Sequence, residues 1–538
     1  MTRETAVPLP SISQEELLSF LLDPHSYPHE PKSLRLIQTH AAYVIIASPF
    51  VYKIKKPVDF GFLDFATLEK RHYYSKREVE LNQRLCPEIY LGIVPISIKG
   101  EHLVLGEGDR VVEYAIKMRR LPDRYFLKRR LKKDDIGPED LDRVALKLKS
   151  FYDGQAPREE MNEWSRIEKL KISTDENFRQ IEDYIGLNLS MPAFETVRFY
   201  TNSFYAYNAS LFDARVREGW IRDCHGDLHL EHIHLSPRSI CIYDCIEFND
   251  RFRYIDVAND IAFLAMDLDC NGRPDLARFF VARMAHILDD PIMLQVMDFY
   301  KCYRATVLGK VESFRSSERE VSEPEKAVSR KRAQRYFRLA LQYAVLGSEP
   351  TVLAVMGNVG SGKTTLAMRL AKELGWEVFS SDRVRKELAG IPLHGRSKKE
   401  LRSWLYSDTM KEKTYEMLLQ NAEKWVREGR GVILDATFGR GSYRNRLRKE
   451  LERLGVPYYF IETKAPEEVV KRRLLERETK DREVSDARLE DFEILKRSYE
   501  PPTPLDSLNV LAADTERELD ETLVTSFRDL VSIHLLKG

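Results

Sequence analysis

The sequence predicts a multidomain protein that joins an α+β part to an α/β part. At 538 residues the chain exceeds what one hydrophobic core usually organises, which indicates two to four domains. Beyond residue 350, short β-rich apolar runs alternate with helical stretches, and this alternation predicts a parallel sheet flanked by helices. Before residue 350, small strands and one helix precede a long stretch of mostly helical pattern.

The composition is that of a globular protein without a strong overall charge. Lys+Arg and Asp+Glu are each 85, so no global field attracts nucleic acid or acidic membranes. No apolar run approaches the roughly 18 residues that span a bilayer, and the first residues lack a signal-peptide core. We therefore expect a cytoplasmic protein with no membrane partner and no stable nucleic-acid complex.

The cysteine pattern favours free thiols. The sequence has six cysteines and no C-x-x-C pair, which is typical of a reduced cytosolic protein. We expect partly buried thiols at Cys86, Cys224, Cys241, Cys245, Cys270 and Cys302.

The first part of the chain has the pattern of a small sheet with one helix. Apolar β-rich runs at 43–47 and 50–54, split by Ser48-Pro49, predict a hairpin. A helix is predicted from about 67 to 85. Further strands are predicted at 89–96, 103–105 and 111–118.

The middle of the chain is mostly helical and contains one dense polar segment. That segment is 222–260, where a hairpin is predicted around Pro237. The charged stretch 315–338 predicts an exposed helix pair that ends the first unit. The predicted domains are 1–346, with a small lobe at about 36–118 and a helical lobe at about 119–346, a linker at 347–350, and 351–538.

Residues 357–364 match the phosphate-binding pattern G-x-x-x-x-G-K-[ST]. A β-rich run at 351–356 precedes them, and an amphipathic helical stretch closed by Gly375 follows. This strand–loop–helix context favours a true phosphate-binding loop over a chance match to the pattern. The glycines let backbone N–H groups turn toward phosphate oxygens at a helix N-terminus. We predict ATP and Mg²⁺ here, with Lys363 on the phosphates and Thr364 on the metal. The predicted nucleotide-binding residues are Gly357, Gly360, Ser361, Gly362, Lys363, Thr364 and Thr365.

Asp382 and Arg385 follow the second predicted strand of this α/β part. A carboxylate at a strand end can accept a hydroxyl proton, and an arginine fork can bind an anion. The alternative is that Ser381 or Asp382 only caps the next helix. The Asp-x-x-Arg pattern resembles polynucleotide kinases and zeta-toxin-like kinases, which implies that Asp382 is the base and that Arg385 binds the acceptor.

Acidic and basic residues farther along complete the predicted site. Asp435 ends an apolar strand, which favours a place beside Mg²⁺ or beside the acceptor. Arg444 is a candidate for acceptor binding, with a solvated surface as the alternative. Arg473 and Arg477, four residues apart, resemble the arginines of a kinase lid that stabilise transferred phosphate, although both suit an exposed helix face too.

A second candidate site lies in the first part of the chain. The run His225-Gly226-Asp227-Leu228-His229, followed by Asp244, resembles the catalytic and metal-binding segments of aminoglycoside phosphotransferases. This resemblance implies a protein-kinase-like two-lobed fold in which Asp227 is the base and Asp244 holds Mg²⁺. Lys53 would contact the phosphates and Glu78 would orient it. Lys55 is the alternative to Lys53, because the strand register is not fixed by the sequence.

His232 departs from the family pattern, which has Asn at that place as a second metal ligand. Imidazole is a poor ligand for Mg²⁺, because hard cations prefer oxygen. Metal binding is then weakened, or Glu231 or water substitutes, or a softer metal is used. A zinc site is disfavoured here, because a strand would place His232 and His234 on one face and His229 on the other.

The two parts together resemble a bacterial family in which an aminoglycoside-phosphotransferase-like domain is fused to a P-loop kinase domain. The runs 51–65 and 246–250 fit that family closely. The resemblance implies an ATP-dependent phosphotransferase whose acceptor is a hydroxyl of a small molecule or of a nucleic-acid end. The alternative is an ATP-hydrolysing regulatory protein whose kinase-like domain only binds.

Overall fold

The computed structural model describes residues 12–318, 321–393, 399–478, 488–502 and 509–537. The chain forms two compact units. Unit 1 comprises the described residues up to Lys169, with Phe212–Asn271 and Leu276–Pro291. Unit 2 comprises Leu170–Leu211, Gly272–Asp275 and the described residues from Ile292 onward. A search of the described helices finds none with the length and apolarity that a membrane crossing requires.

Unit 1 opens with helix α1 (Gln14–Leu21) and a six-stranded antiparallel sheet of order β1-β2-β3-β6-β4-β5. The strands are β1 (Arg35–Gln38), β2 (Ala42–Ala47), β3 (Phe50–Lys55), β4 (Tyr90–Lys99), β5 (His102–Leu105) and β6 (Arg110–Arg119). Helix α2 (Leu68–Gln83) starts at the capping residue Thr67 and packs on β4 and β6. The predicted hairpin, the helix and the three further strands are confirmed.

A mostly helical stretch follows this sheet, as the sequence predicts. Its helices are α3 (Leu127–Leu131), α4 (Pro138–Asp153), α5 (Glu159–Asn162), α6 (Ile167–Ile181), α7 (Met191–Tyr207), α8 (Ala209–Arg217), α9 (Val257–Cys270), α10 (Pro274–Leu288), α11 (Met293–Ser317) and α12 (Glu323–Leu346). Four short strands form two antiparallel pairs within unit 1. They are β7 (Ile221–Asp223) with β10 (Tyr254–Asp256), and β8 (Ile233–Leu235) with β9 (Ile240–Ile242).

Unit 2 contains the predicted parallel sheet, which has five strands in the order β12-β13-β11-β14-β15. They are β11 (Val352–Met356), β12 (Glu377–Ser380), β13 (Val432–Asp435), β14 (Tyr458–Lys464) and β15 (Val510–Asp514). Every residue of the central strand β11 is buried, as expected when helices cover both faces of a parallel sheet. The flanking helices are α13 (Lys363–Leu374), α14 (Ser381–Leu388), α15 (Lys399–Leu405), α16 (Asp408–Arg427), α17 (Gly441–Arg453), α18 (Glu467–Glu478), α19 (Phe492–Arg497) and α20 (Leu519–Lys537).

The compact units do not divide the chain at the predicted linker. Helices α7 and α12 pack with each other and with α20, and α12 also packs with α13, so all of them lie in unit 2. The charged stretch 315–338 therefore belongs to unit 2 and does not end the first unit. Amphipathic patterns show that a helix has an apolar face but not which core covers it. The domain bounds 1–346 and 351–538 stay a prediction.

Two cysteines correct the expectation of free thiols. Cys86, just beyond α2, and Cys241 in β9 form a disulfide within unit 1. They are 155 residues apart in the sequence, so their proximity has no local signal. Cys224, Cys245, Cys270 and Cys302 are buried thiols.

Gly431 offers a test of packing beneath the parallel sheet. It precedes β13, and the ring of Trp376, just before β12, occupies the place where a Cβ at position 431 would lie. We expect Gly431→Ala to lower the free energy of unfolding by about 1–3 kcal/mol, because the ring must move. Denaturant unfolding of the full chain measures this loss. Gly154→Ala is the matched control, since a Cβ there meets nothing nearer than 3.4 Å; equal effects of both variants would contradict the prediction.

Candidate active site

The loop between β11 and α13 requires glycine at three places. Gly357, Gly360 and Gly362 have φ values of 137°, 73° and 93°, which L side chains rarely adopt. A Cβ at Gly357 would lie 2.6 Å from Thr463 Oγ1, and one at Gly360 would lie 2.8 Å from Val470. The motif glycines therefore allow both the turn of the loop and its close approach to unit 2's core.

Two threonines outside the motif hold this loop. The Ser361 hydroxyl donates to Asn358 O (2.7 Å) and lies 2.6 Å from Thr463 Oγ1 on β14. Thr515, just after β15, donates its hydroxyl to Ser361 O at 2.7 Å. Thr463 and Thr515 were not among the predicted site residues, because a hydroxyl at or just beyond a strand end is a weak sequence signal.

The first residues of α13 point functional groups toward the sheet edge. Lys363 Nζ donates to Asn358 O at 2.7 Å. Thr364 donates its hydroxyl to Asp435 Oδ2 at 2.8 Å, and Thr365 follows in the exposed first turn. Burial lowers the pKa of Lys363 to about 8, although Asp435 and Asp382 oppose the shift. Burial also raises the pKa of Asp435.

Asp382 and Arg385 lie one helical turn apart on α14. Arg385 Nη1 donates to Asp382 Oδ1 at 2.6 Å, and its guanidinium lies 4.6 Å from the centre of the Tyr406 ring. The N-cap of α14 is Ser380, and Asp382 is already the second helical residue. The alternative that Ser381 or Asp382 only caps this helix is therefore wrong.

One cavity at the carboxyl edge of the sheet joins these groups. It has a volume of about 160 Å³ and lies where β11, β12 and β13 end, as ligand sites in parallel sheets do. The predicted site residues that line it are Gly360, Gly362, Lys363, Thr364, Asp382, Arg385, Asp435 and Arg477.

The other predicted arginines have different surroundings. Arg473 donates to Thr515 O (2.5 Å) and Oγ1 (3.2 Å), so it positions the residue that holds the phosphate loop.

Arg444 is buried and donates to Phe438 O (2.9 Å), Glu500 O (2.9 Å) and Pro501 O (3.1 Å). These contacts assign Arg444 to loop structure, which corrects its predicted place at the acceptor. Arg440 lines the cavity instead. The segment 485–487, predicted within the lid, lies outside the described residues.

Unit 1 contains a second polar centre between its sheet and the β8–β9 hairpin. Lys53 Nζ lies 2.8 Å from Glu78 and 2.5 Å from Asp244, while Lys55 Nζ lies 2.7 Å from Glu78 and also pairs with Glu247. Both lysines share one face of β3, because they are two residues apart. Lys53 is the one that reaches Asp244.

The start of the segment from His225 to His229 is held by the carboxylate of Asp260 on α9. Backbone N–H groups of His225 (3.0 Å) and Gly226 (2.9 Å) donate to the Asp260 carboxylate. His225 Nδ1 accepts from Asp227 N at 3.2 Å, so Nε2 is the protonated nitrogen and donates to Tyr243 O at 2.9 Å. Burial lowers the pKa of His225 to about 4, which keeps this ring neutral.

Residues Leu230–His232 form a short 3-10 turn rather than a strand. This corrects the predicted orientations: the rings of His229 and His232 lie 3.9 Å apart, whereas His234 Nε2 contacts Pro122 O at 3.1 Å. His232 lies between two carboxylates, with 3.4 Å from Nδ1 to Asp227 and 3.4 Å from Nε2 to Asp244. Burial opposes charge on His229, but Asp227 outweighs it and raises the pKa of His229 to about 9.

Comparison with known proteins finds relatives across most of the chain. The family model described as "AAA domain" matches residues 352–502, so the phosphate loop and strands β11 to β14 belong to a P-loop nucleotide-binding domain. Proteins of Mycobacterium tuberculosis and Mycobacterium bovis, each named only as uncharacterized, are 33% identical over 418 residues. The match covers 78% of this chain and 80% of each relative.

Solved structures resemble about a third of the chain. A gluconokinase of Sinorhizobium meliloti is 18% identical over 35% of this chain and 98% of that chain, with a TM-score of 0.27. The APS kinase CysC of Mycobacterium tuberculosis, in complex with AMPPNP and APS, is 20% identical over 34% of this chain and 98% of that chain, with a TM-score of 0.24. TM-scores this low do not bear on activity.

The lowered pKa of Lys363 predicts a pH-dependent nucleotide affinity. Below pH 8 the lysine is charged in the free protein, whereas above pH 8 it must take up a proton when triphosphate raises its pKa. We expect the affinity for ATP to fall above pH 8, by at most about tenfold per pH unit. Titrations with a non-hydrolysable ATP analogue between pH 7.5 and 9.5 measure this. Lys363→Gln, which has no group to protonate, is the control and should show weak, pH-independent binding; an equal slope in both proteins would refute the assignment.

Proposed function

The chain belongs to the family of these mycobacterial proteins, and from that premise and the cavity in unit 2 we propose that it is an ATP-dependent phosphotransferase. It transfers the γ-phosphate to a hydroxyl of a small molecule or of a nucleic-acid end. One observation carries the proposal: Lys363 and Thr364 share a single cavity with the Asp382–Arg385 pair. A nucleotide switch that transfers phosphate only to water needs no acceptor-side carboxylate and arginine in that place.

The phosphate loop and the start of α13 bind the triphosphate. Backbone N–H groups of the loop and the positive end of the α13 dipole face the phosphate oxygens. Lys363 exchanges its contact with Asn358 O for the β- and γ-phosphates. The Thr364 hydroxyl and the Asp435 carboxylate, 2.8 Å apart, are hard oxygen ligands that suit Mg²⁺. When bound, that ion neutralises charge on the phosphate oxygens.

Three side chains have separate roles in the phosphoryl transfer. Asp382 accepts the proton of the acceptor hydroxyl. The hydroxyl oxygen bonds to the γ-phosphorus, and the bond between the γ-phosphorus and the oxygen that bridges it to the β-phosphate breaks, so that ADP leaves. Arg385 exchanges part of its pairing with Asp382 for an anionic group of the acceptor. Arg477, which lines the same cavity, stabilises charge on the transferred phosphoryl group.

A second nucleotide site in unit 1 is a further candidate. The Lys53–Glu78 pair and the contact of Lys53 with Asp244 support it, since kinases need such a pair beside a metal-binding aspartate. In that case Asp227 is the base and His232 takes the place of a metal ligand. The alternative, a non-catalytic binding module, is favoured by His232, which lies between Asp227 and Asp244.

Replacement of the proposed base separates chemistry from binding. We expect Asp382→Asn to lower transfer of label from γ-labelled ATP by about 10²–10⁴-fold while ATP binding persists, because the amide accepts no proton. Pooled metabolites and 5′-hydroxyl oligonucleotides serve as acceptors. Glu387→Gln is the matched control, an identical change on the exposed side of α14.

Two further variants interpret the result. Lys363→Ala should abolish transfer, and an additional loss with Asp227→Ala would assign a second reaction to unit 1. Label that appears only as inorganic phosphate across the whole acceptor pool, with equal rates in Asp382→Asn, would overturn the phosphotransferase proposal in favour of the nucleotide switch.

A further inference from the structure

We propose that Asp227, His229 and His232 bind a transition-metal ion of the zinc class in unit 1. One potential ligand atom from each of these three residues lies within 4.8 Å of the others. The set joins a carboxylate oxygen to two imidazole nitrogens, the donors that zinc uses in catalytic-type sites. This inference does not depend on the function proposed for unit 2.

The spacing of these donors suits tetrahedral coordination. His229 Nε2 lies 3.4 Å from Asp227 Oδ2, and a ring nitrogen of His232 completes a set of three donor atoms that lie within 4.8 Å of one another. With metal–ligand bonds of about 2.0–2.1 Å, neighbouring ligands of a tetrahedral ion are roughly 3.3 Å apart. The Asp227–His229 pair already has this spacing, whereas the His232 ring must move to bring Nε2 equally close. Each of the three side chains is partly exposed, so an ion can enter.

The ring of His232 is oriented by a contact that metal-bound histidines commonly make. Its Nδ1 lies 2.9 Å from the backbone oxygen of Asp227, which fixes the proton on Nδ1 and leaves Nε2 with a lone pair. Within the turn, Leu230 N donates to Oδ2 of Asp267, which lies on α9, at 2.9 Å. The turn that presents both histidines is thus held by side chains from outside it.

His229 gives up two contacts when it binds, the contact of its Nε2 with Asp227 and a weaker one at Nδ1. Its Nδ1 accepts from Glu231 N over 3.4 Å, which is long for a hydrogen bond. Coordination through Nε2 moves the ring proton to Nδ1 and ends this contact. The ring also gives up a proton, because Asp227 raises the pKa of His229 to about 9 and zinc binds a neutral imidazole.

Neighbouring polar side chains are engaged elsewhere, which limits the set to these three. His225 uses both ring nitrogens, and His234 contacts Pro122 O. Glu231 pairs with Lys128. Asp244 faces His232 but is also held 2.5 Å from Lys53.

The donor set selects the ion and leaves room for a ligand. Two imidazoles favour zinc and similar transition metals over Mg²⁺ and Ca²⁺, which prefer oxygen. Three protein ligands leave a fourth position for water or for an oxygen of a bound anion. A carboxylate that coordinates a cation is a weaker base, because the positive charge lowers its pKa. In this state Asp227 is therefore poorly suited to accept a hydroxyl proton, and unit 1 is a metal-dependent binding module.

Zinc titration of the full chain tests the proposal. After chelator treatment, the protein competes for Zn²⁺ with a chromophoric chelator, and we expect one tight site per chain. His229→Gln and His232→Gln should each weaken that site by at least about 100-fold. His102→Gln, at the exposed first residue of β5, is the matched control and should leave the affinity unchanged. Co²⁺ provides a second readout, because its absorption spectrum in the native protein should report a four-coordinate ion.

Asp435→Asn distinguishes this site from the P-loop site. It should leave the tight zinc site intact, and ATP binding by the two histidine variants shows that they remain folded. Absence of a tight zinc site in the native protein, or its loss in Asp435→Asn with retention in both histidine variants, would overturn the proposal.

Discussion

The phosphate loop lies so close to β14 that position 357 has no room for a side chain. Thr463 supplies both the hydroxyl and the backbone oxygen that a Cβ would meet, at 2.6 and 2.7 Å. This close approach lets Thr463 contact Ser361, while Thr515 holds the loop from β15. The loop then delivers the chain into α13 with Thr364 opposite Asp435. The position of the phosphate loop in the cavity thus depends on the absence of a side chain at 357 and on two threonines.

The charged side chains of the two polar centres differ in how they are paired. In unit 2 the cavity is open, and Lys363 donates to a backbone oxygen that a phosphate can replace. In unit 1 the ionic groups are paired with one another: Glu78 contacts two lysines, and Asp244 contacts both Lys53 and His232. Such pairing stabilises buried charges, but an anion that enters must displace existing partners. Unit 2 is therefore the better prepared of the two for a triphosphate.

Local patterns predicted the parts of the molecule that depend on local order. The phosphate loop with its strand and helix, the parallel sheet and the β2–β3 hairpin each have a periodicity or motif within a few residues. Contacts between distant segments had no such signal, which is why Thr463, Thr515 and the Cys86–Cys241 bond were missed. Arg444 looked like a surface residue by type, yet it binds three carbonyls inside unit 2.

The histidine turn shows how a wrong local conformation changes a chemical conclusion. A strand at 229–234 separates His229 from His232, whereas the observed 3-10 turn brings their rings together. The turn depends on Asp267, whose carboxylate binds Leu230 N from 37 residues away. No window of sequence around the histidines contains that partner.

The division of the chain into units determines which packed helices a cleavage of the backbone would separate. The backbone passes between the units at residues 169, 211, 271, 275 and 291. A single break at 347 would leave α7 and α12 on one fragment and their packing partner α20 on the other. Each fragment would then expose apolar helix faces to water. Cleavage of the chain at 347 thus yields two fragments whose exposed apolar surfaces favour aggregation.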